Sequence, residues 1–200
     1  MPAGSFHIAP MDDRLVGLAI SVIWLAWLFY WWLSARDVKR TSRQEPARDQ
    51  LTYRIPLVLG ILCLSAPGWI PPVLHRRFVP PGAPAQAAGL ALLAAGLGFS
   101  VWARRHLGRN WSASVVVKED HALIRSGPYR RVRHPIYTGM LLAFLGTAVA
   151  VGEWRGLVGL VLAFVSFVLK SRMEEARMAE TFPEYSEYRR HTASLIPGVY

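Results

Sequence analysis

Leu15–Leu33 reads LVGLAISVIWLAWLFYWWL and contains no charged side chain. As a helix rising 1.5 Å per residue, it is long enough to cross the hydrocarbon core of a bilayer, which takes about 20 apolar residues. Trp24, Trp27, Trp31 and Trp32 gather towards its end, as amphipathic rings do at a membrane interface. Asp12 and Asp13 precede the run where a signal peptide would carry positive charge, and no cleavage site follows. The run is therefore expected to remain as a span.

Working outward, further apolar runs occupy Ile55–Leu74, Ala87–Ala103, Ile136–Val151 and Leu157–Leu169. The first of these is interrupted by Pro67, Gly68, Pro71 and Pro72, so it is either a kinked span or one that ends early. Ala87–Ala103 is rich in Ala, Gly and Leu, a composition suited to close helix packing. The last two runs, joined by Gly152-Glu-Trp-Arg-Gly156, read as a tight antiparallel hairpin. Ser34–Arg54 is polar and basic without a hydrophobic face, and reads as a loop or surface segment. The fold class expected is an all-α integral membrane protein with about five transmembrane helices and a cytosolic C-terminal segment. Residues 1–103 would hold three N-terminal spans, and residues 104–200 a C-terminal segment that includes a transmembrane helical hairpin.

Charge is placed in blocks. Lys and Arg number 23 against 13 Asp and Glu, a formal +10. The basic loops fall at 34–54, 104–135 and after 170, which puts the N-terminus outside and the C-terminus in the cytosol, as expected for a bacterial inner-membrane protein. Long uncharged stretches beside these blocks point to membrane lipids as partners. No nucleic acid is expected, because no basic helix or finger spacing of a nucleic-acid module occurs. Cys63 is a single cysteine in an apolar run, so neither an intrachain disulfide nor a metal cluster is expected.

Arg104–Pro135 is too polar to span. With the residues that follow, it supplies His121, Leu123, Ile124, Arg125, Gly127-Pro128-Tyr129 and Arg133-His134-Pro135-Ile136-Tyr137-Thr-Gly139. An interfacial anchor accounts for the Lys and Arg, but less well for the placement of His, Tyr and Gly, and the combination reads as a site. A second polar group, Lys170-Ser-Arg172-Met-Glu174-Glu175, closes the last run. Lys170 with Glu174, and Arg172 with Glu175, have the spacing of helix salt bridges. At a membrane boundary, ionisable side chains also mark substrate paths.

Gly127-Pro128-Tyr129, Arg133-His134-Pro135-x-Tyr137-x-Gly139, Glu174-Glu175 and Tyr185-x-x-Tyr188 … Ile196-Pro197 occur in this order. The ordered set resembles the isoprenylcysteine carboxyl methyltransferases and their bacterial relatives over roughly residues 104–198. The resemblance implies S-adenosylmethionine as cofactor, S-adenosylhomocysteine as product, and a catalytic segment, residues 104–200, whose cytosolic part is cofactor-binding without a Rossmann domain. It implies that His121, Leu123 and Ile124 line the cofactor, and that Tyr129, His134 and Tyr137, beside Arg133, contact its nucleoside and methionine parts. Glu174, beside Glu175, would hold its ammonium. Where the family has a catalytic arginine one turn before the glutamate, this sequence has Lys170, with Arg172 two residues on. Lysine offers a point charge in place of a bidentate fork.

Lys170, Arg172 and Glu174 are thus the expected catalytic residues, and no metal site is expected. A carboxylate acceptor is already ionised at neutral pH; it needs a cation, alignment with the methyl group and exclusion of water. The expected acceptor is a lipophilic small molecule or lipidated compound, most simply a prenylcysteine-like acid. Phospholipid amine N-methylation and small-thiol S-methylation are sibling readings, for which His134 or Glu175 would be the base. An NADPH-dependent reductase related to sterol reductases is the reading from another class.

Overall fold

The computed structural model describes residues 12–36, 46–65, 67–108, 111 and 123–198. Among the described residues there are six α-helices and no strand: α1 Asp13–Ser34, α2 Ala47–Ser65, α3 Ala83–Leu107, α4 Pro135–Val151, α5 Trp154–Thr181 and α6 Tyr185–Arg190. By length and hydropathy α1, α3 and α5 can each cross a membrane. Helix α4 is apolar but has 17 residues, about 26 Å of rise. Helix α2 carries Arg48, Asp49 and Arg54 in its first turns.

Helix ends differ from the hydropathy runs where capping, not hydrophobicity, sets the boundary. Helix α2 begins at Ala47, inside the segment expected to be a loop, and ends at Ser65. Its first two turns are polar, so they leave no trace in an apolar count. Of the two readings of Ile55–Leu74, the structure shows the early end: the helix stops at Ser65. The proline-rich remainder forms two 3-10 turns, Pro67–Trp69 and Pro72–His75, because proline cannot donate into a continuing helix. Helix α3 starts early as well, with Pro84 in its first turn and a stop at Gly108. Helix α5 runs through the apolar and charged segments without a break.

Inside a bilayer, lipid tails are as apolar as leucine, so helices associate through close packing and polar pins. Helices α3 and α4 meet along small residues. A Cβ at Gly139 would lie 2.6 Å from the Gly96 carbonyl oxygen, and one at Gly146 would lie 2.6 Å from that of Gly89. Two indoles pin this pair to α1: Trp27 Nε1 donates to Ser100 Oγ at 2.8 Å, and Trp24 Nε1 to Thr147 Oγ1 at 3.2 Å. The α4–α5 hairpin turns at Gly152, whose φ of 72° is the left-handed cap that glycine supplies without strain. At this end of the bundle Glu153 accepts from Arg155 at 2.6 Å and faces His75 at 3.1 Å.

At the opposite end, the segment after α6 lies parallel to the segment before α4. Arg133 N donates to Ala193 O at 2.9 Å, His134 N to Ser194 O at 3.1 Å, and Ala193 N to Arg131 O at 3.1 Å. This short clip fixes the backbone from which Arg133 and His134 project.

Candidate active site

The polar half of α5 brings Glu174 and Glu175 against the start of α4. Glu175, 10% exposed, takes Arg133 Nε at 2.9 Å, Ser194 Oγ at 2.9 Å and His134 Nε2 at 3.1 Å. Arg133 is itself 8% exposed and further donates to the carbonyls of Arg189 and Thr192. A buried pair of this kind holds only when its remaining donors and acceptors are met, and here they are. Glu175 therefore braces the α4 entry, α5 and the C-terminal clip.

Glu174 is less enclosed, at 19% exposure. Its carboxylate accepts from the Tyr137 hydroxyl at 2.6 Å, faces His134 Nδ1 at 3.2 Å and has Lys170 Nζ at 4.0 Å. His134, Tyr137 and Phe167 form a ring stack, with centroids 5.5 and 5.0 Å apart and both interplanar angles 4°. Lys170 Nζ lies over two rings, 5.1 Å from Tyr53 and 5.5 Å from Tyr137.

Because both nitrogens of His134 face carboxylates, both act as donors only in the imidazolium form. Burial alone would lower its pKa, but hydrogen bonds to Glu174 and Glu175, and the charges behind them, raise it instead. Burial also raises Tyr129 and Tyr185, and pushes Tyr188 up to about 12. These phenols stay neutral hydrogen-bond donors. Arg133, Lys170 and His134 thus face the two carboxylates, with Arg189 Nε a further 3.6 Å from Glu175.

The residues expected to form the site divide as follows. Arg133, His134, Tyr137, Lys170, Glu174 and Glu175 come together. Tyr129 is buried behind them, its hydroxyl 3.4 Å from Ala103 O and its carbonyl accepting from Tyr188 at 2.6 Å. Leu123 and Ile124 are half-buried, and Ile124 packs beside Ala103, Tyr129 and Ile136. Arg172 is exposed, about 200° around the helix from Lys170, so the structure brings Lys170 and not Arg172 to the carboxylates. Glu175 is engaged chiefly by Arg133 and His134 from another helix entry, beyond the local helix pairing expected of it. His121 lies outside the described residues. Sequence reasoning missed Tyr53, Phe167 and Ser194. Only Phe167 had a signal, three residues before Lys170.

With this geometry in view, the sequence comparisons become specific. A family model described as phospholipid methyltransferase matches residues 84–185, half of the chain. The chain belongs to the phospholipid methyltransferase family. It is 33% identical over 117 residues to the protein-S-isoprenylcysteine O-methyltransferase of Schizosaccharomyces pombe, covering 56% of this chain and 49% of that protein. It is 34% identical over 93 residues to the cobalt-zinc-cadmium resistance protein CzcN of Cupriavidus metallidurans, covering 46% of this chain and 43% of that one. The chain thus spans about half the length, or less, of these curated relatives. A eukaryotic intramembrane Ras methyltransferase, isoprenylcysteine carboxyl methyltransferase, matches with a TM-score of 0.48 and 18% identity over 79% of this chain and 55% of that chain. The resemblance read from Gly127 to Pro197 is borne out by the family match and the yeast relative. Together with three apolar helices, it makes this an integral membrane protein.

Proposed function

We propose that this protein uses S-adenosylmethionine to methylate the carboxylate of a lipophilic acid, with a prenylcysteine-like compound as the leading acceptor class. The observation that carries this reading is the position of Lys170 beside Glu174, at the point where α5 changes from apolar to charged. One group suits an anionic acceptor, the other a cationic part of the cofactor, and an apolar bundle adjoins both.

The residues present fit S-adenosylmethionine. Glu174 is oriented by Tyr137 and His134 yet keeps some exposure, so it can take up an ammonium group. Leu123 and Ile124 offer an apolar edge beside the Tyr129 segment. When bound, the cofactor supplies a methyl carbon activated by its sulfonium. Lys170 holds the acceptor carboxylate, and the stacked rings exclude water from one side. No general base is needed, since the acceptor is already ionised.

The family description favours a second reading, N-methylation of a phospholipid amine. An amine or thiol has to lose a proton. His134 has a carboxylate against each ring nitrogen, and Glu175 is engaged by Arg133, Ser194 and His134, which argues against either as that base. In the proposed topology all five long helices cross a bacterial inner membrane with the N-terminus outside, and residues 104–200 form the catalytic segment, with its polar parts in the cytosol and its α4–α5 hairpin in the membrane. The acceptor enters between helices and the cofactor from the cytosol.

Calorimetry of the detergent-purified protein with S-adenosylmethionine, S-adenosylhomocysteine and NADPH tests the class. Binding of the two adenosyl ligands alone supports the proposal and opens a screen of lipophilic acids, phospholipid amines and thiols. Binding of NADPH alone, or methylation of amines but not acids, would overturn it.

A further inference from the structure

We propose that α2, which lies outside the family-matched region, forms a wall of the acceptor site, and that Tyr53 is a positioning residue for Lys170. The kinetic part of this inference rests on the methyltransferase reading above; the structural part does not.

The argument begins with the seam between α2 and α5. Arg155 Nη1 donates to the carbonyl oxygens of Cys63 and Leu64 at 3.1 and 2.5 Å. A Cβ at Gly60 would lie 2.8 Å from Gly159 O. Ser166 Oγ donates to Tyr53 O at 2.7 Å. Partners step down α2 as they step up α5, so the helices run antiparallel. Residues 155, 159, 166 and 170 recur at the spacing of one helix face, so Lys170 is the next residue on the face that grips α2.

Tyr53 is 3% exposed, and its backbone is pinned at Ser166, one turn before Lys170. The ammonium of Lys170 is framed by Tyr53 from α2 and Tyr137 from α4. Tyr137 is fixed by its hydrogen bond to Glu174 and by the stack between His134 and Phe167. Lysine is a point charge on a flexible stem and has no directional fork of its own. Two anchored aromatic faces supply the direction that the side chain lacks. Helix α2 thereby sets where the cation meets an acceptor carboxylate.

Lys39, Lys118 and Lys170 are the only lysines in the sequence, so the test can be spectroscopic. With lysine labelled at Cε, one ε-methylene signal is expected upfield of the others from the ring currents, and its loss in Lys170→Arg assigns it. Tyr53→Phe should keep that shift, and Tyr53→Leu should move the signal towards the other two. A signal unmoved in Tyr53→Leu overturns the proposal whatever the protein catalyses. Tyr53→Met, unbranched and more adaptable in packing, repeats the comparison if leucine perturbs folding. In turnover, the leucine variant should raise acceptor KM about tenfold over the phenylalanine variant, with S-adenosylmethionine affinity unchanged. Equal KM values for the two variants would remove the positioning role. Failure of the wild type to bind S-adenosylmethionine would instead sink the methyltransferase reading and leave the spectroscopic result standing.

Discussion

His134 Nε2 lies 3.1 Å from Glu175 Oε1, although 41 residues separate them in sequence, and its other ring nitrogen faces Glu174 at 3.2 Å. One imidazole ring thus bridges two neighbouring carboxylates, and its protonated form keeps them from repelling each other.

The first prediction concerns pH. Folding raises the His134 pKa above 6.5, because the two glutamates outweigh the opposing effect of burial. The stabilisation is fully present below the unfolded value and is lost as pH rises through the folded value. The melting temperature in detergent should therefore fall as pH climbs past the ordinary imidazole value and through the raised one. His134→Asn should be less stable at low pH and lack that fall; a parallel profile for the variant would contradict the account.

Glu175→Gln should be the more damaging of the two glutamate changes for folding. It leaves the enclosed Arg133 without its carboxylate, a loss on the order of 3 kcal/mol for an uncompensated buried charge. Chemical unfolding of the detergent-solubilised variant would measure it, and an effect below about 1 kcal/mol would mean that Arg133 finds another partner.

Glu174→Gln should behave differently. Its carboxylate is more exposed, so stability should change less than in Glu175→Gln, while S-adenosylmethionine affinity falls about tenfold or more. Calorimetry on both variants separates the roles, and normal cofactor binding in Glu174→Gln would take the ammonium away from this residue.

Lys170→Ala should raise acceptor KM while Arg172→Ala leaves it near the wild-type value, since only Lys170 reaches the carboxylate cluster. Steady-state kinetics at saturating S-adenosylmethionine gives the comparison. Equal effects at the two positions would remove the carboxylate grip from Lys170.

Gly146→Ala should destabilise the α3–α4 pair by about 1–3 kcal/mol, because the new methyl group meets backbone. A Cβ there would lie 2.6 Å from Gly89 O, whereas one at Gly98 has nothing within 4 Å. Thermal unfolding of Gly98→Ala should match the wild type.

The sequence makes the membrane class legible because hydrophobic burial in lipid needs only composition and length, and Leu15–Leu33 has both. It also shows Lys170 and Glu174, because helical spacing alone makes them neighbours. The start of α2 was hidden, since Ala47–Arg54 is polar and an apolar window sees only absence. Arg133 and Glu175 were each visible, but their pairing across 42 residues depends on how α4 and α5 dock. Tyr53 and Ser194 had no signal, for each acts through a neighbour that tertiary packing supplies.

The clip between residues 131–134 and 193–195 bears on how the protein is made. Synthesis runs from the N-terminus, so α1 to α4 are made well before Ala193 and Ser194 exist. Arg133 and His134 gain their backbone anchors, and Glu175 its serine, only when those residues leave the ribosome. The apolar helices are therefore made first and the polar cluster is locked last, so a chain truncated within α6 would keep α1 to α5 but lack the backbone anchors of Arg133 and His134.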